Sequence, residues 1–341
     1  MGEVLKAKEF QELKENQQII EELMKAKIEE ESSLDNEEAD IQVNEVNEQS
    51  NIILLGLHAS GKTTFIAALW QLLYQESYKK YPFTLFEPPE DRSYLVEIHK
   101  CWKYFKEVDR TGDEKQKIKL QLKINKEQQH TFTFLDVSGE LFNECFKERH
   151  WDDSFDDYVK NADGVILFIN PLKINHPNTI SEVYEIFYEV FLKQEYPFDI
   201  DSFFEDMEIP WKISRWDAND SPSQVKLIEL LQIVSKRCQS NIRLMIIVSA
   251  WDAIQFNNIS PELWLARRMP LLMQYLLSNF SIGIDLTFFG LSAQGAPYKN
   301  KEEQEIAKQK LKHLNTLDRI IVAKMKNKQG TMFDILKWIC E

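Results

Sequence analysis

The stretch GLHASGKTT occupies residues 56–64. It matches the pattern Gly-x-x-x-x-Gly-Lys-[Ser/Thr] of a loop that binds the phosphates of a nucleotide. The loop follows the apolar run NIILLG, which has the composition of a buried strand. It precedes KTTFIAALWQLLYQ, in which large apolar residues recur at helical spacing. Because phosphate binding requires the order strand, glycine-rich loop, helix, the sequence predicts a phosphate-binding loop here.

The residues of this loop have distinct predicted roles. A turn at Gly56 and Gly61 directs backbone N–H groups at the phosphates, and the start of the following helix adds partial positive charge. Lys62 neutralises the β- and γ-phosphate oxygens, and Thr63 offers its hydroxyl to Mg²⁺. The predicted phosphate-binding residues are Gly56, His58, Ala59, Ser60, Gly61, Lys62, Thr63 and Thr64.

Patterns after the loop predict an α/β fold. The alternating runs KIKLQLKI (residues 117–124) and HTFTFLDVSG (residues 130–139) flank a short polar segment, which is typical of an antiparallel hairpin. Further strands are predicted at residues 164–170, 242–250 and 284–293, with helices between them. We expect a doubly wound, mostly parallel P-loop NTPase sheet with one antiparallel edge hairpin.

Prolines indicate where two later helices begin and break. Ser221 and Ser260 are predicted N-cap residues, because Pro222 and Pro261 follow them at the first helical position. Pro270 is expected to kink or divide the helix that begins at Pro261.

The segment DVSGE, residues 136–140, places a second chemical motif at the end of a strand. Asp136 follows the apolar FTFL, so it is expected at the carboxyl end of a core strand, beside the phosphate loop. A carboxylate there can hold Mg²⁺ directly or through water. The N–H of Gly139 can contact a γ-phosphate because no side chain blocks its approach.

Charge separates an N-terminal segment from the rest of the chain. Residues 1–50 contain 5 Lys/Arg and 15 Asp/Glu, whereas all 341 residues together carry a net charge of −14. An apolar stripe predicts an amphipathic helix within residues 1–28, and residues 29–50 have the composition of an acidic, flexible linker. The helix either packs on its own domain or binds a protein partner.

The rest of the chain, residues 51–341, is predicted to form one P-loop domain with two helical insertions. These fall at about residues 77–112, including a helix at residues 91–108, and at about residues 172–241. The second insertion mixes acidic and aromatic residues, which suits either a partner surface or a local cap. A protein partner is therefore expected at the N-terminal helix or at the insertions.

Composition argues against several classes of protein. No apolar run reaches the roughly 18 residues that a membrane span requires, and no basic stripe with interleaved aromatic residues supports direct nucleic-acid binding. The cysteines lack metal-ligand spacing and are expected to be reduced, buried thiols of a cytoplasmic protein. They are Cys101, Cys145, Cys238 and Cys340.

Four segments, GLHASGKTT, LDVSGE, VSAWDA and GLSAQG, resemble motifs of the translation-factor-related class of P-loop GTPases. The resemblance runs from Asn51 to about Gly295 and includes the order of elements. It implies GTP or GDP as ligand, Mg²⁺ held by Thr63 and a first-switch threonine, and a second switch at Asp136 and Gly139. More narrowly, the insertions and SAWDA resemble GTPases of bacterial conflict or defence systems, some of which are called double-GTPases.

This resemblance also implies where the base is bound. Family members read guanine with the Asp of an Asn/Thr-Lys-x-Asp motif, and the carboxylate of Asp252 could accept hydrogen bonds from guanine N1 and N2. Ser249 and Ala250 replace the family's Asn/Thr and Lys, so guanine selectivity stays open. Trp251 either replaces the packing of that lysine or belongs to the core.

Two further family positions are matched at the first switch and the last loop. The order of family elements favours Thr111, in DRTGD, over Thr84 as the first-switch threonine. Ser292 and Ala293 match the last family loop, where the N–H of Ala293 would meet the guanine carbonyl.

Two departures from Ras-like proteins bear on hydrolysis. His58 stands where those proteins have glycine, and its side chain can crowd the γ-phosphate, although it suits a solvent-facing loop residue equally well. Glu140 stands where they have a water-orienting glutamine, and its charge near the γ-phosphate is unfavourable without a compensating cation. Slow turnover is the expected consequence.

The predicted function is a slow, Mg²⁺-dependent GTPase that acts as a conformational switch, with Lys62, Glu140 and Thr111 as catalytic candidates. An ATPase or small-molecule kinase is an alternative that would make Asp252 incidental. A non-hydrolysing nucleotide-binding scaffold is another, in which His58 and Glu140 reflect lost turnover. A membrane-remodelling GTPase is less favoured, because the sequence has no basic or apolar membrane stripe.

Overall fold

The computed structural model describes residues 48–74, 83–87, 89, 91–106, 116–124, 128–136, 139–149, 156–177, 217–238, 242–254, 259–296, 301–314 and 317–340. The predicted N-terminal helix and most of the predicted acidic linker lie outside these residues. The predictions for both therefore stay predictions.

The described residues contain nine strands that form one sheet. The strands are β1 (Glu48–Leu55), β2 (Phe83–Glu87), β3 (Gln116–Ile124), β4 (Gln128–Asp136), β5 (Gly164–Ile169), β6 (Arg243–Ser249), β7 (Leu286–Ser292), β8 (Ile321–Lys324) and β9 (Lys328–Gly330). Their order across the sheet is β2-β3-β4-β1-β5-β6-β7-β8-β9. Neighbours from β4 to β7 are parallel, and the outer pairs on both sides are antiparallel.

The central strands are buried on both faces, which explains their sequences. Every residue of β5 (GVILFI) is buried, and so is every residue of β6 (RLMIIVS) except Arg243. Parallel strands covered by helices on both faces are typically continuous apolar runs. The parallel strands all end at one edge of the sheet, so the loops that follow them lie side by side.

Helices cover both faces of this sheet. They are α1 (Lys62–Tyr74), α2 (Ser93–Lys103), α3 (Gly139–Glu148), α4 (Asp156–Lys160), α5 (Ser223–Arg237), α6 (Pro261–Arg268), α7 (Pro270–Asn279), α8 (Lys301–Leu311) and α9 (Met332–Cys340). The helices from α3 through α7 pack on one face of the sheet and share one apolar core with alternate residues of the central strands. The helices α1, α2 and α9 share a second apolar core with the intervening strand residues. The fold is therefore doubly wound, as the sequence predicts.

Several element predictions are confirmed. β3 and β4 form the expected hairpin, paired from Gln116↔Asp136 to Ile124↔Gln128. The helix predicted at residues 91–108 is present as α2. Ser260 is the N-cap of α6, with Pro261 following it. The helix is interrupted at Met269, and α7 begins at Pro270.

One helix start is different from the prediction. Ser221 ends the short 3₁₀ turn Ala218–Asp220 instead of capping α5, which begins at Ser223 with Pro222 as its N-cap. The reason is a competing contact: Asn175 accepts a hydrogen bond from Ser223 N through its carbonyl and donates one to Ser223 Oγ through its own N–H. These two bonds place the helix start one residue later.

Three further features differ from the sequence expectations. A second antiparallel edge, formed by β8 and β9, adds to the single predicted hairpin, and β2 extends the first edge. The sheet begins at Glu48, inside the segment predicted as linker. Helix α5, assigned to the insertion at residues 172–241, buries Leu230 and its apolar neighbours in the main core, so it belongs to the domain itself.

Candidate nucleotide-binding site

The loop between β1 and α1 requires glycine at two positions. A Cβ on Gly56 would lie 2.6 Å from Ser60 Oγ and 2.7 Å from the carbonyl oxygen of Phe168, closer than real side chains approach. Gly61 has a φ of +98°, a conformation that side-chain-bearing residues rarely adopt. The two glycines therefore allow the tight turn that the motif predicts.

Lys62 places its ammonium group inside the loop. The residue is 6% exposed, and its Nζ donates to the carbonyl oxygen of Gly56 at 2.7 Å and to Ser60 Oγ at 3.2 Å. The ring of Phe142, from α3, lies 5.6 Å from Nζ. A buried cation held by backbone and hydroxyl oxygens is well placed to exchange these partners for phosphate oxygens.

Two neighbouring strand ends hold the loop in place. Asn170, which follows β5, donates from Nδ2 to the carbonyl oxygen of Ala59 at 2.8 Å. Ser249, at the end of β6, packs against Gly61, where a Cβ would lie 3.1 Å from the Ser249 Cβ. The Ser249 hydroxyl donates to the carbonyl oxygen of Ile169 at 3.3 Å. Ser249 thus fixes the loop from the position of the family's Asn or Thr.

The second motif lies directly against the loop. Asp136 ends β4, and β4 pairs with β1 through Ile53↔Leu135, so the two strands end side by side. Gly139, the first residue of α3, is buried, and a Cβ on it would collide with the backbone of His58. Only glycine fits this contact, so the structure brings Gly139 and the phosphate loop together.

The segment after β6 presents Asp252 and buries Trp251. Ala250 adopts a left-handed conformation (φ 47°, ψ 40°), which begins the 3₁₀ turn Trp251–Ala253. Trp251 is 2% exposed and its ring packs on Gly290 of β7, so it belongs to the core. Asp252 is half-buried at the carboxyl edge of the sheet.

The loop after β7 is the neighbour of this segment. Ser249 pairs with Leu291, which brings the ends of β6 and β7 side by side. Ser292 is buried, and its hydroxyl accepts a hydrogen bond from Gly295 N at 3.0 Å. Ala293 is also buried, and its carbonyl oxygen accepts a hydrogen bond from the indole of Trp102 at 2.8 Å.

Not every predicted site residue is placed. Thr111 lies outside the described residues, and for Asp136 and Glu140 the structure describes the backbone only. His58 is described and exposed, next to Gly139. The roles of all predicted site residues stay predictions.

The sequence reasoning missed several residues around the site. Asn170 is signalled only by its place after a buried strand, whereas Trp102, Gln294 and Arg319 meet through long-range contacts that no local pattern shows.

Among the described residues, no helix is long and apolar enough to cross a bilayer. Within the same residues, no cluster of three or more His, Cys, Asp or Glu side chains suits a metal.

A glycine-rich loop between a buried strand and a helix, with three further loops at the same edge of a parallel sheet, defines a P-loop nucleotide-binding protein. The chain belongs to the Double-GTPase 1 family, whose model matches residues 53–338. It is accordingly a GTP-binding P-loop protein of a GTPase family. No curated protein sequence matches it significantly.

Three solved structures are similar to this chain at low sequence identity. The chain is similar to the GTP-bound GTPase-like domain of S. cerevisiae Ski7 (13% identity, TM-score 0.39), covering 86% of this chain and 50% of that one. It therefore spans half the length of the Ski7 chain. It is also similar to the GTP-bound signal recognition particle receptor SRb in complex with SRX from Chaetomium thermophilum (13% identity, TM-score 0.37). This match covers 78% of this chain and 99% of that one. A third similar structure is GDP-bound Roco2 from Methanosarcina barkeri (10% identity, TM-score 0.32). This match covers 89% of this chain and 58% of that one.

Proposed function

We propose that this protein binds GTP and GDP together with Mg²⁺ and hydrolyses GTP slowly as a conformational switch. The observation that supports the proposal most is the alignment of four loops along one edge of the sheet, in a chain of a GTPase family. These loops follow β1, β4, β6 and β7. A nucleotide along this edge would have its phosphates at Lys62 and its base between Asp252 and Ala293.

Thr63 and Asp136 are the proposed Mg²⁺ ligands, with Thr111 as a third. Thr63 is the second residue of α1, and Asp136 ends the strand that pairs with β1. Mg²⁺ prefers oxygen ligands and commonly binds one or two carboxylates, so these residue types fit the ion. When bound, the ion neutralises charge that develops on the β- and γ-phosphates.

The Mg²⁺ assignment makes a direct prediction for Asp136→Ala. Because Asp136 acts through the metal, the variant should lose more GTP affinity in Mg²⁺ than in excess chelator. Titration calorimetry under both conditions measures the two losses, and equal losses would contradict a role at the metal.

Asp252 is the proposed reader of guanine. Its carboxylate can accept hydrogen bonds from guanine N1–H and the 2-amino group, a donor pair that adenine lacks. Ala250 supplies no lysine stem beside the base, so in this proposal the selectivity rests on Asp252 and on the loop that contains Ala293. Ser249 supports the phosphate loop in place of the family's Asn or Thr.

Slow turnover follows from two residues near the γ-phosphate position. Glu140 is the second residue of α3, immediately after Gly139. Its carboxylate can accept a proton from the attacking water, but its negative charge opposes the phosphate unless a cation compensates. His58, exposed beside Gly139, crowds the approach to the γ-phosphate.

Replacement of His58 by Gly should therefore raise the single-turnover rate of GTP hydrolysis, and an equal or lower rate would argue against crowding.

The family resemblance extends the proposal to the cellular role. We place the protein in the translation-factor-related class, acting in a bacterial defence or conflict system with a protein partner at residues 1–28 or at the insertions. The runner-up functions are an ATPase or kinase and a scaffold that binds nucleotide without hydrolysing it.

Parallel titrations with Mg²⁺ and GTP, GDP or ATP test the proposal. We expect binding of both guanine nucleotides and little binding of ATP, and equal affinity for ATP would favour the ATPase. A single-turnover assay with GTP then separates a slow GTPase from a scaffold, because the scaffold would release no phosphate above the protein-free rate.

A further inference from the structure

The indole of Trp102 connects helix α2 to the loop after β7. Trp102 lies in the last turn of α2 and is 3% exposed. Its Nε1–H donates to the carbonyl oxygen of Ala293 at 2.8 Å. Its own carbonyl oxygen accepts hydrogen bonds from Gln294 Nε2 at 2.8 Å and from an Arg319 amino group at 3.2 Å. Two consecutive loop residues are thus bonded to one tryptophan.

Arg319 completes this contact from the other side. Its guanidinium lies 3.8 Å from the ring centroid of Trp102 and 4.7 Å from that of Phe105, and the residue is 6% exposed. A desolvated cation over aromatic rings is a favourable contact. His99 stacks on Trp102, and burial, together with the charges of Lys103 and Arg319, lowers the pKa of its imidazole.

The same arginine also holds the end of the loop. Gly295 has a φ of +85°, and a Cβ on it would lie 2.6 Å from the Arg319 carbonyl oxygen. The loop at residues 292–295 is therefore hydrogen-bonded to Trp102 at Ala293 and Gln294, and it packs closely on the Arg319 backbone at Gly295.

The bond to Ala293 sets the direction of the loop's backbone groups. In a trans peptide the carbonyl and the following N–H point in opposite directions. With the Ala293 carbonyl directed at Trp102, the N–H of Gln294 is directed away from it. A loop whose peptide planes are fixed before binding loses less conformational entropy when it binds a ligand.

We propose that Trp102 is a positioning residue for base recognition: it orients the loop at residues 292–295 so that its N–H groups bind the guanine carbonyl oxygen. This inference rests on the proposed function. Trp102 thereby compensates for Ala250, which stands where the family has a lysine. The ligand feature that Trp102 controls is the 6-carbonyl of the base, whereas Asp252 controls N1 and the 2-amino group.

A ligand without the 6-carbonyl tests this. Trp102→Phe keeps an aromatic ring against Arg319 and removes the Nε1–H donor together with part of the buried ring volume. We expect its affinity for GTP to fall about 5- to 20-fold, the value of one hydrogen bond. 2-Aminopurine riboside triphosphate lacks the 6-carbonyl and, with it, the N1–H. The missing N1–H affects the parent and the variant alike and cancels when the two proteins are compared. The affinity of Trp102→Phe for this ligand should therefore stay within about 2-fold of the parent value, because the interaction that Trp102 supports is absent there.

The matched control is Trp264→Phe, which changes a buried tryptophan of α6 in the other apolar core. Equal losses for both ligands in Trp102→Phe, or no loss for either, would overturn the positioning role. A parent protein that does not prefer GTP to 2-aminopurine riboside triphosphate would instead contradict the proposed function. If Trp102→Phe does not fold, Gln294→Met removes the hydrogen bond from the Gln294 side-chain amide to the Trp102 carbonyl oxygen. This variant should shift the ratio of the affinities for GTP and 2-aminopurine riboside triphosphate in the same direction.

Discussion

At the residue scale, Lys62 carries the phosphate assignment. Its ammonium already bonds to oxygens of the loop, at Gly56 and Ser60. Lys62→Ala should therefore weaken GTP binding by at least about 100-fold, as expected for a charged hydrogen-bonding group, and leave the fold intact. Calorimetry and circular dichroism measure the two effects, with the exposed Lys236→Ala as control. Normal binding by a folded variant would remove the phosphate-loop assignment.

Gly139 makes a second prediction at this scale. An alanine Cβ would collide with the backbone of His58, and backbone cannot yield as a flexible side chain does. Gly139→Ala should displace the start of α3 and weaken GTP binding by about 10-fold or more, equivalent to about 1.4 kcal/mol. Gly164→Ala is the matched control, since its nearest atom is the end of the Ile52 side chain at 3.3 Å. Equal affinities of the two variants would show that the contact is not needed.

At the element scale, α5 makes a prediction about the domain. Leu230 is fully buried in the core beneath the helix. Leu230→Ala should lower the free energy of unfolding by about 2–5 kcal/mol, the usual cost of a cavity in a core. Urea unfolding measures this, and the exposed Lys236→Ala on the same helix should change it by less than about 0.5 kcal/mol. A small effect of Leu230→Ala on the free energy of unfolding would mean that α5 is a peripheral insertion and not part of the domain core.

The elements also show what the sequence could predict. The strands β3 and β4 were predictable because each is nine residues long and contains a clear alternation of polar and apolar residues, KIKLQLKI in β3 and HTFTF in β4. The edge strands β8 and β9 have only four and three residues, too few for a periodic pattern. β8 depends on pairing with β7, and β9 depends on pairing with β8. Helix α5 has a clear apolar stripe, but the stripe alone did not say that it packs on the central sheet.

The site was predictable to the extent that it consists of contiguous motifs. The phosphate loop and the Asp136–Gly139 segment have patterns that a single stretch reveals. The contact of Trp102 with Ala293 joins residues 191 positions apart, and the support from Ser249 depends on how β6 ends beside the loop. Such contacts depend on the tertiary fold, which no local spacing encodes.

At the scale of the whole molecule, the N-terminal segment should be separable from nucleotide binding. β1 begins at Glu48, and every proposed ligand residue follows it. Removal of residues 1–46 should leave the affinity for GTP within about 2-fold of the full chain, because distant and independent changes do not couple. Calorimetry on both proteins measures this. An aggregated or nucleotide-blind truncation would mean that the segment completes the core.

The proposed reading of guanine by Asp252 can be tested with a single substitution. In Asp252→Asn an amide donor faces the donors of guanine, so GTP binding should weaken by about 1–3 kcal/mol. Xanthine has an oxygen in place of the 2-amino group and can accept from that amide. Titration of GTP, ATP and xanthosine triphosphate against both proteins should show xanthosine triphosphate binding the variant better than the parent. An unchanged order of the three affinities would contradict the guanine assignment.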